Sequence, residues 1–292
     1  MPTRWLRPGA RGIRWLIAMA IIVCGAQPVH AVVVSSDSFG YSPVGSDLLG
    51  NAGGVGWNGS WVAGGFNASI NTNYDIANGS LTYPNLQVSG ERVSTTAQNA
   101  ISGVRRQFSA GITQNDIATR YLSVLLRPEG VLHGGAFSGF FGVYLDASPN
   151  SGDRDLYIGK PGGGALGKWV VEERGGGGQF ASPVDVAIGE TTLLVLRADL
   201  QPGNDRFTLY VNPSPLSPEP PTGIVKQDMD IGALDGIVLY STGAHSVDEI
   251  RWGTTFADVT PVPEPGTIVL AIIGGLAAAR MAGKIRQRRE RR

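Results

Sequence analysis

Thr191-Thr-Leu-Leu-Val-Leu-Arg-Ala-Asp-Leu-Gln-Pro-Gly-Asn-Asp-Arg-Phe-Thr-Leu-Tyr-Val211 places two apolar, β-branched and aromatic runs on either side of a cluster of turn residues. Such runs read as strands, and Pro, Gly, Asn and Asp between them supply the backbone angles a tight reversal needs. The pattern recurs from Val32 to Val259. Ala31-Val-Val-Val-Ser-Ser-Asp-Ser-Phe39, Ser80-Leu-Thr-Tyr83, Tyr121-Leu-Ser-Val-Leu-Leu126, Phe140-Phe-Gly-Val-Tyr-Leu145, Leu156-Tyr-Ile158, Lys168-Trp-Val-Val171, Gly236-Ile-Val-Leu-Tyr240 and Asp248-Glu-Ile-Arg-Trp252 all read as strands. Few segments keep a 3.6-residue apolar period over helical length. So many short strands in one segment predict an all-β, two-sheet sandwich or jelly roll over residues 32–260. An open sheet would leave long edges unpaired.

Composition agrees. The chain of 292 residues is 42% hydrophobic and 16% charged, enough for a real core, and its 42 glycines follow no collagen period. The net charge of zero conceals an asymmetry: Met1 to Ala31 carries four arginines and no acid, and Arg280 to Arg292 carries seven basic residues and one acid. Between Val32 and Thr260 there are 13 basic against 22 acidic side chains. A body of that sign does not seek nucleic acid, which demands clustered Lys and Arg. The only cysteine, Cys24, lies in the apolar run near the start, so the body contains no thiol for a disulfide, a zinc site or a nucleophile. Val23 stands before Cys24 where a lipoprotein anchor expects a small residue.

The two ends read as addresses. Arg4, Arg7, Arg11 and Arg14 precede the short apolar run Trp15 to Cys24, and Val29 and Ala31 occupy the −3 and −1 positions of a signal peptidase site. That order predicts a secretory signal at 1–31, because a permanent span needs about 20 apolar residues. At the other end Val262-Pro263-Glu264-Pro265 leads into an apolar helix expected at 267–283 and a basic tail at 284–292. Two prolines keep the backbone around Glu264 extended and remove two amide donors. The uninterrupted part, Thr267 to Ala279, gives only about 20 Å of helix against a hydrocarbon core of about 30 Å. Met281 to Gly283 extend it if Arg280 snorkels. The basic cluster holds this end in the cytoplasm and places the body outside.

In this order, at the end of a chain that opens on a signal peptide, the motif resembles the PEP-CTERM sorting signal of Gram-negative bacteria. The resemblance implies recognition of Pro263, Glu264 and Pro265 by an exosortase-type membrane enzyme that removes the tail. It implies an inner-membrane-held precursor, then a protein of the cell surface or extracellular matrix. Arg280 departs from the pattern by shortening the apolar run. The body, 32–260, resembles concanavalin A-like (LamG-like) jelly-roll domains in Asp37-Ser-Phe39, Gly45-Ser-Asp-Leu48, Gly53-Gly-Val-Gly-Trp57 with Trp61, Ile158-Gly-Lys-Pro161, Leu209-Tyr-Val-Asn-Pro213 and Val247-Asp-Glu-Ile-Arg-Trp-Gly-Thr254. That resemblance implies that the strands near Phe39 and Ile250 lie together.

Chemistry is harder to find. Glycoside hydrolysis needs two carboxylates about 5 to 10 Å apart. The related laminarinase-like hydrolases draw them from Glu-x-Asp-x-x-Glu on one strand, a spacing this sequence lacks. Glu172-Glu173 and Asp248-Glu249 are adjacent and point to opposite faces of a strand. We assign no catalytic residue. His133 and His245 stand in turn-like contexts and read as exposed loop histidines. Asp146, Asn150, Asp153 and Asp155 offer oxygens for calcium, but Arg154 intrudes and the bidentate Glu of an EF-hand is missing, which favours a polar hairpin. No other cofactor is indicated. Trp57 and Trp61, in a Gly-rich stretch, are the aromatics placed to stack on a sugar, whereas most aromatics at strand spacing belong to a core. Pro213 to Pro221 reads as a stiff loop between strands. The reading is an exported, non-catalytic surface or matrix protein, in the exopolysaccharide or biofilm context that the resemblance implies. Alternatives are a lectin-like carbohydrate-binding module or an enzyme acting on polysaccharide.

Overall fold

The computed structural model describes residues 33–64, 73–96, 101–113, 116–134, 136–146 and 156–263. The expected signal peptide, Glu264, Pro265, the apolar helix and the basic tail lie outside them. Among the described residues no helix is long and apolar enough to cross a membrane.

Among the described residues fifteen strands account for nearly all regular structure. They are β1 (Val33–Asp37), β2 (Trp57–Ala63), β3 (Asp75–Ala77), β4 (Arg92–Thr95), β5 (Ser102–Ile112), β6 (Ala118–Pro128), β7 (Phe141–Asp146), β8 (Leu156–Lys160), β9 (Lys168–Glu173), β10 (Gly177–Asp185), β11 (Thr192–Leu200), β12 (Arg206–Val211), β13 (Ile224–Lys226), β14 (Leu234–Ser241) and β15 (His245–Gly253). One short helix, α1 (Phe256–Val259), follows, opened by a Thr255–Asp258 capping box.

An eight-stranded sheet runs β13-β12-β11-β6-β15-β4-β3 with β1 also on β15, and a seven-stranded sheet runs β10-β9-β8-β7-β14-β5-β2. Every pairing is antiparallel. The chain is thus the all-β sandwich that its alternation predicts, and Asp37 faces Ile250 in the β1–β15 pair, which brings the regions of Phe39 and Ile250 together as expected.

Packing explains which runs were easy to read. On β6, Leu122, Val124 and Leu126 enter the core between the sheets, while Tyr121 and Leu125 face outward. That outer face is itself covered by Leu81, Leu86, Phe256 and Val259. Strands buried on both faces carry near-continuous apolar runs, as Tyr121 to Leu126 and Thr192 to Leu196 do.

Two expectations change. Ser80 to Tyr83 forms no strand: it lies against the outer face of the eight-stranded sheet, held by its side chains and by the Leu81 N–H, which donates to the Asp248 carboxylate at 2.7 Å. In the opposite direction, Ser102–Ile112 and Gly177–Asp185 are full strands that the apolar pattern did not announce. Arg105 and Arg106 interrupt the first, and Gly, Gln, Ser and Pro dilute the second.

β15 changes neighbours partway along one edge. His245 to Val247 pair with β4 and Ile250 to Gly253 with β1, and the register slips between Asp248 and Arg251 at a bulge where Glu249 is left-handed, φ 50°. At this handover side chains replace ladder bonds. Asp248 accepts from Ser80 Oγ at 2.5 Å as well as from Leu81, Glu249 accepts from the Ser89 N–H, and Arg251 donates to the Gln87 carbonyl at 2.5 Å.

Candidate functional site

Trp57 and Trp61 do not stand in a ligand-facing loop. Both belong to β2, and Trp61 is fully buried with its indole N–H on the Asp37 carboxylate at 3.0 Å. Trp57 is half-buried, stacks on Phe108 at 5.4 Å and donates to the Ser36 carbonyl at 2.9 Å. The Arg106 guanidinium lies over both rings, at 5.2 and 5.7 Å. Trp61 has no face to offer a sugar, and the pair instead walls a buried ion pair between Asp37 and Arg106. The glycines before them serve close approach: at Gly56, φ +75°, a Cβ would fall 1.8 Å from the Val34 carbonyl oxygen.

The histidine expectation divides. His133 is exposed, whereas His245 is fully buried in β15, stacked on Phe141 at 4.9 Å. Its Nδ1 lies 3.0 Å from the Gly243 carbonyl, and burial lowers its pKa to about 4. It is a neutral core residue. Burial also pushes Asp248 up to about 8. Asp146 ends β7, and Asn150, Asp153 and Asp155 lie outside the described residues. Among the described residues no group of three or more His, Cys, Asp or Glu could hold a metal. Pro213 to Pro221 is the loop between β12 and β13. Its Glu219 accepts hydrogen bonds from Tyr121 at 2.7 Å, Tyr210 at 2.6 Å and Arg197 at 3.2 Å, which tie the loop down. Val262 is half-buried and Pro263 exposed, directly after the sandwich ends.

A groove with room for a ligand lies elsewhere, on the outer face of the seven-stranded sheet. Alternation along the strands creates it: Val143 and Leu145 of β7, Ile237 and Leu239 of β14 and Trp169 and Val171 of β9 enter the core. Their neighbours Tyr144, Tyr240 and Glu172 therefore point the other way. With Phe137 and Phe140 they line a groove of about 690 Å³, closed at its sides by Gly162 to Gly164, Gly175 and Gly176. The rings form a continuous surface: Tyr144 lies 4.7 Å from Tyr157 and 5.9 Å from Tyr240, Tyr240 lies 5.3 Å from Phe140, and Phe140 lies 6.3 Å from Phe137. Tyr144 and Tyr240 are themselves only 5% and 9% exposed and form the floor, so most of the aromatic surface open to a ligand belongs to the half-buried Phe140 and the exposed Phe137.

Polar groups are few and placed. Gln179 donates to the Glu172 carboxylate at 2.5 Å and to the Gly163 carbonyl at 3.1 Å, and its own oxygen accepts from the Ala165 N–H at 2.8 Å. This amide fixes the glycine loop to the groove floor. Burial raises the pKa of Glu172 and of the Tyr240 hydroxyl, and the Arg174 guanidinium works against the second shift. Glu172 is the one carboxylate among the described residues that line the groove.

One wall is strained. Phe137 (φ 48°, ψ 40°), Ser138 (φ 52°, ψ 28°) and Gly139 (φ 62°) form a left-handed turn, at a cost of about 1–3 kcal/mol for each non-glycine residue. The surroundings fix it. The buried Lys160 ammonium donates to the Ser138 carbonyl, and the N–H groups of Thr242 and Gly243 donate to the Phe140 carbonyl at 2.9 and 3.1 Å. Burial lowers the Lys160 pKa to about 8.

None of these groove aromatics was singled out from sequence. Tyr144 and Tyr240 stand at the outward-pointing alternate positions of strands otherwise apolar, and a large ring with a polar tip at such positions is the signal that could have found them.

No protein-family model and no curated protein matches the sequence. Solved structures similar to it include an endo-1,3-β-glucanase from Streptomyces sioyaensis, at 12% identity over 78% of this chain and 97% of that one, TM-score 0.45. Others are an endo-β-1,4-glucuronan lyase from Trichoderma reesei, at 10% identity over 69% and 97%, TM-score 0.42, and the globular domain of T. cruzi calreticulin, at 12% identity over 75% and 90%, TM-score 0.43.

Proposed function

We propose that this chain is an exported, non-catalytic protein of the cell surface or extracellular matrix whose sandwich binds polysaccharide in the groove of the seven-stranded sheet. Delivery rests on Val262-Pro263-Glu264-Pro265 as the address for an exosortase-type enzyme, after a signal peptidase has removed residues 1–31. The observation that carries the binding half is the groove itself: the rings of Phe137 and Phe140 over a floor of buried Tyr144 and Tyr240, with Arg174 and Glu172 among them. Pyranose rings present C–H faces that pack on aromatics and hydroxyls that bond to charged groups, so a surface of this mixture suits a sugar chain. Among the described residues one carboxylate lines the groove, which supports binding over hydrolysis by a carboxylate pair.

The test of binding is affinity electrophoresis of the full chain, purified in detergent, through gels containing laminarin, a neutral β-glucan, or polygalacturonate. Retardation by either, abolished in Phe140→Ala and Arg174→Ala, with no release of reducing ends, is the expected result. Free migration in both gels overturns binding, and accumulating reducing ends overturn the non-catalytic reading. Delivery is tested in the native host by Pro263→Ala with Pro265→Ala: unchanged size and location of the protein would leave a plain membrane anchor in its place.

A further inference from the structure

Phe137 is the feature of the groove that ordinary packing does not explain. A large apolar side chain 64% exposed at a rim gains little from burial, and a left-handed backbone is costly for any residue with a Cβ. An exposed loop free to choose would put glycine there. Phe137 keeps the conformation because three neighbours leave it no other. Lys160, fully buried, holds the Ser138 carbonyl from below. Gly243 lies so close that a Cβ there would meet the Gly139 carbonyl oxygen at 2.4 Å. Gly162 lies so close that a Cβ there would meet the Phe137 carbonyl oxygen at 2.9 Å. Backbone strain that surrounding structure over-determines is found at ligand clamps, where it fixes a side chain before the ligand arrives.

We infer that Phe137 is a sugar-stacking residue at the rim of the groove, and that Lys160 is the positioning residue that holds its left-handed turn. The inference rests on the groove being the polysaccharide site. Phe137 extends the surface of Phe140, which is itself backed by the buried Tyr240, so a chain seated on Phe140 meets one more aromatic face at the mouth. Its orientation is preset by the turn, which removes the ordering cost a mobile rim residue would add to binding.

The experiment compares Phe137→Gly, Lys160→Met and Gly162→Ala with the wild-type full chain, using laminarin and polygalacturonate as probes. Phe137→Gly should weaken binding about tenfold or more while leaving the melting temperature unchanged or higher, because glycine relieves the turn. This opposition of signs is not produced by a residue that merely supports the fold. In protein carrying 4-fluorophenylalanine, the Phe137 resonance, assigned by its loss in Phe137→Leu, should shift when the bound probe is added. It should also shift without any probe in Lys160→Met and in Gly162→Ala, the second variant serving if the first does not fold. Wild-type affinity in Phe137→Gly alongside weakened binding in Arg174→Ala would sink the inference and leave the groove standing. An unmoved fluorine signal in both turn variants would remove the role of Lys160. If neither probe binds the wild-type chain, the groove reading and this inference fall together.

Discussion

Asp37 and Arg106 join the two sheets: the carboxylate hangs from β1 of the eight-stranded layer, the guanidinium from β5 of the seven-stranded layer, and they meet with side chains 1% and 2% exposed. Asp37 also accepts from Tyr41 Oη at 2.6 Å, Trp61 Nε1 at 3.0 Å and its own near neighbour, the Phe39 N–H, at 2.9 Å. Burying two charges is costly, and what offsets the cost here is a full set of partners.

Arg106→Met should therefore cost about 3–5 kcal/mol, because it strands the carboxylate. Adding Asp37→Asn should recover part of the loss. Urea unfolding followed by tryptophan fluorescence measures both. A loss for Arg106→Met no larger than that of an exposed ion pair, about 1 kcal/mol, would show that the pair does not join the layers energetically.

Two glycines with similar backbone angles should respond differently to a methyl group. At Gly175, φ +79°, a Cβ meets nothing within 4 Å, so Gly175→Ala should cost only the left-handed penalty, about 1–2 kcal/mol. At Gly56, φ +75°, the same atom strikes the Val34 carbonyl oxygen, and Gly56→Ala should prevent β1 and the chain around Val55 from pairing. Thermal unfolding of the two proteins separates strain from collision.

Acid should destabilise the sandwich through His245. Its folded pKa of about 4 lies below the ordinary 6.5, so between those values the unfolded chain binds the proton more readily and stability falls as pH falls. The loss attributable to this residue is about 2 kcal/mol at pH 5 relative to pH 7.5. His245→Phe removes that dependence, and the stability difference between the two proteins at the two pH values measures it. Asp248 acts with opposite sign. Its folded pKa is raised, so its contribution is present in acid and is lost as pH rises toward about 8, a drift that Asp248→Asn should abolish.

Glu219→Ala should release the loop between β12 and β13. Three donors, Tyr121, Tyr210 and Arg197, lose their acceptor, and the local cost is about 1–3 kcal/mol. Amide exchange should rise across residues 213–221 and remain unchanged in β6. Equal protection in both proteins would show that proline stiffness alone holds the loop.

The architecture was legible in the sequence wherever burial on one or both faces imposed its own alternation. Tyr121 to Leu126, Thr192 to Leu196 and Phe207 to Val211 read as strands because every position answers to a packing demand. β5 escaped because Arg105 and Arg106 are charged yet buried, a state allowed by partners far along the chain, Asp235 and Asp37. Trp57 and Trp61 misled for the same reason. Nothing local in Gly53-Gly-Val-Gly-Trp57 reveals that its glycines make room for β1. The groove was invisible because Phe137, Tyr144, Glu172 and Tyr240 are gathered from four separate segments, and adjacency in a sheet follows strand order rather than sequence order.

The pairing of β1 with β15 has a consequence in time. Asp37 finds Ile250 only after nearly the whole body has been synthesised, so the eight-stranded sheet cannot be completed on a partial chain. Contacts of such separation slow folding. The last strand of the sandwich therefore withholds closure of this sheet until almost all of the body is available to it.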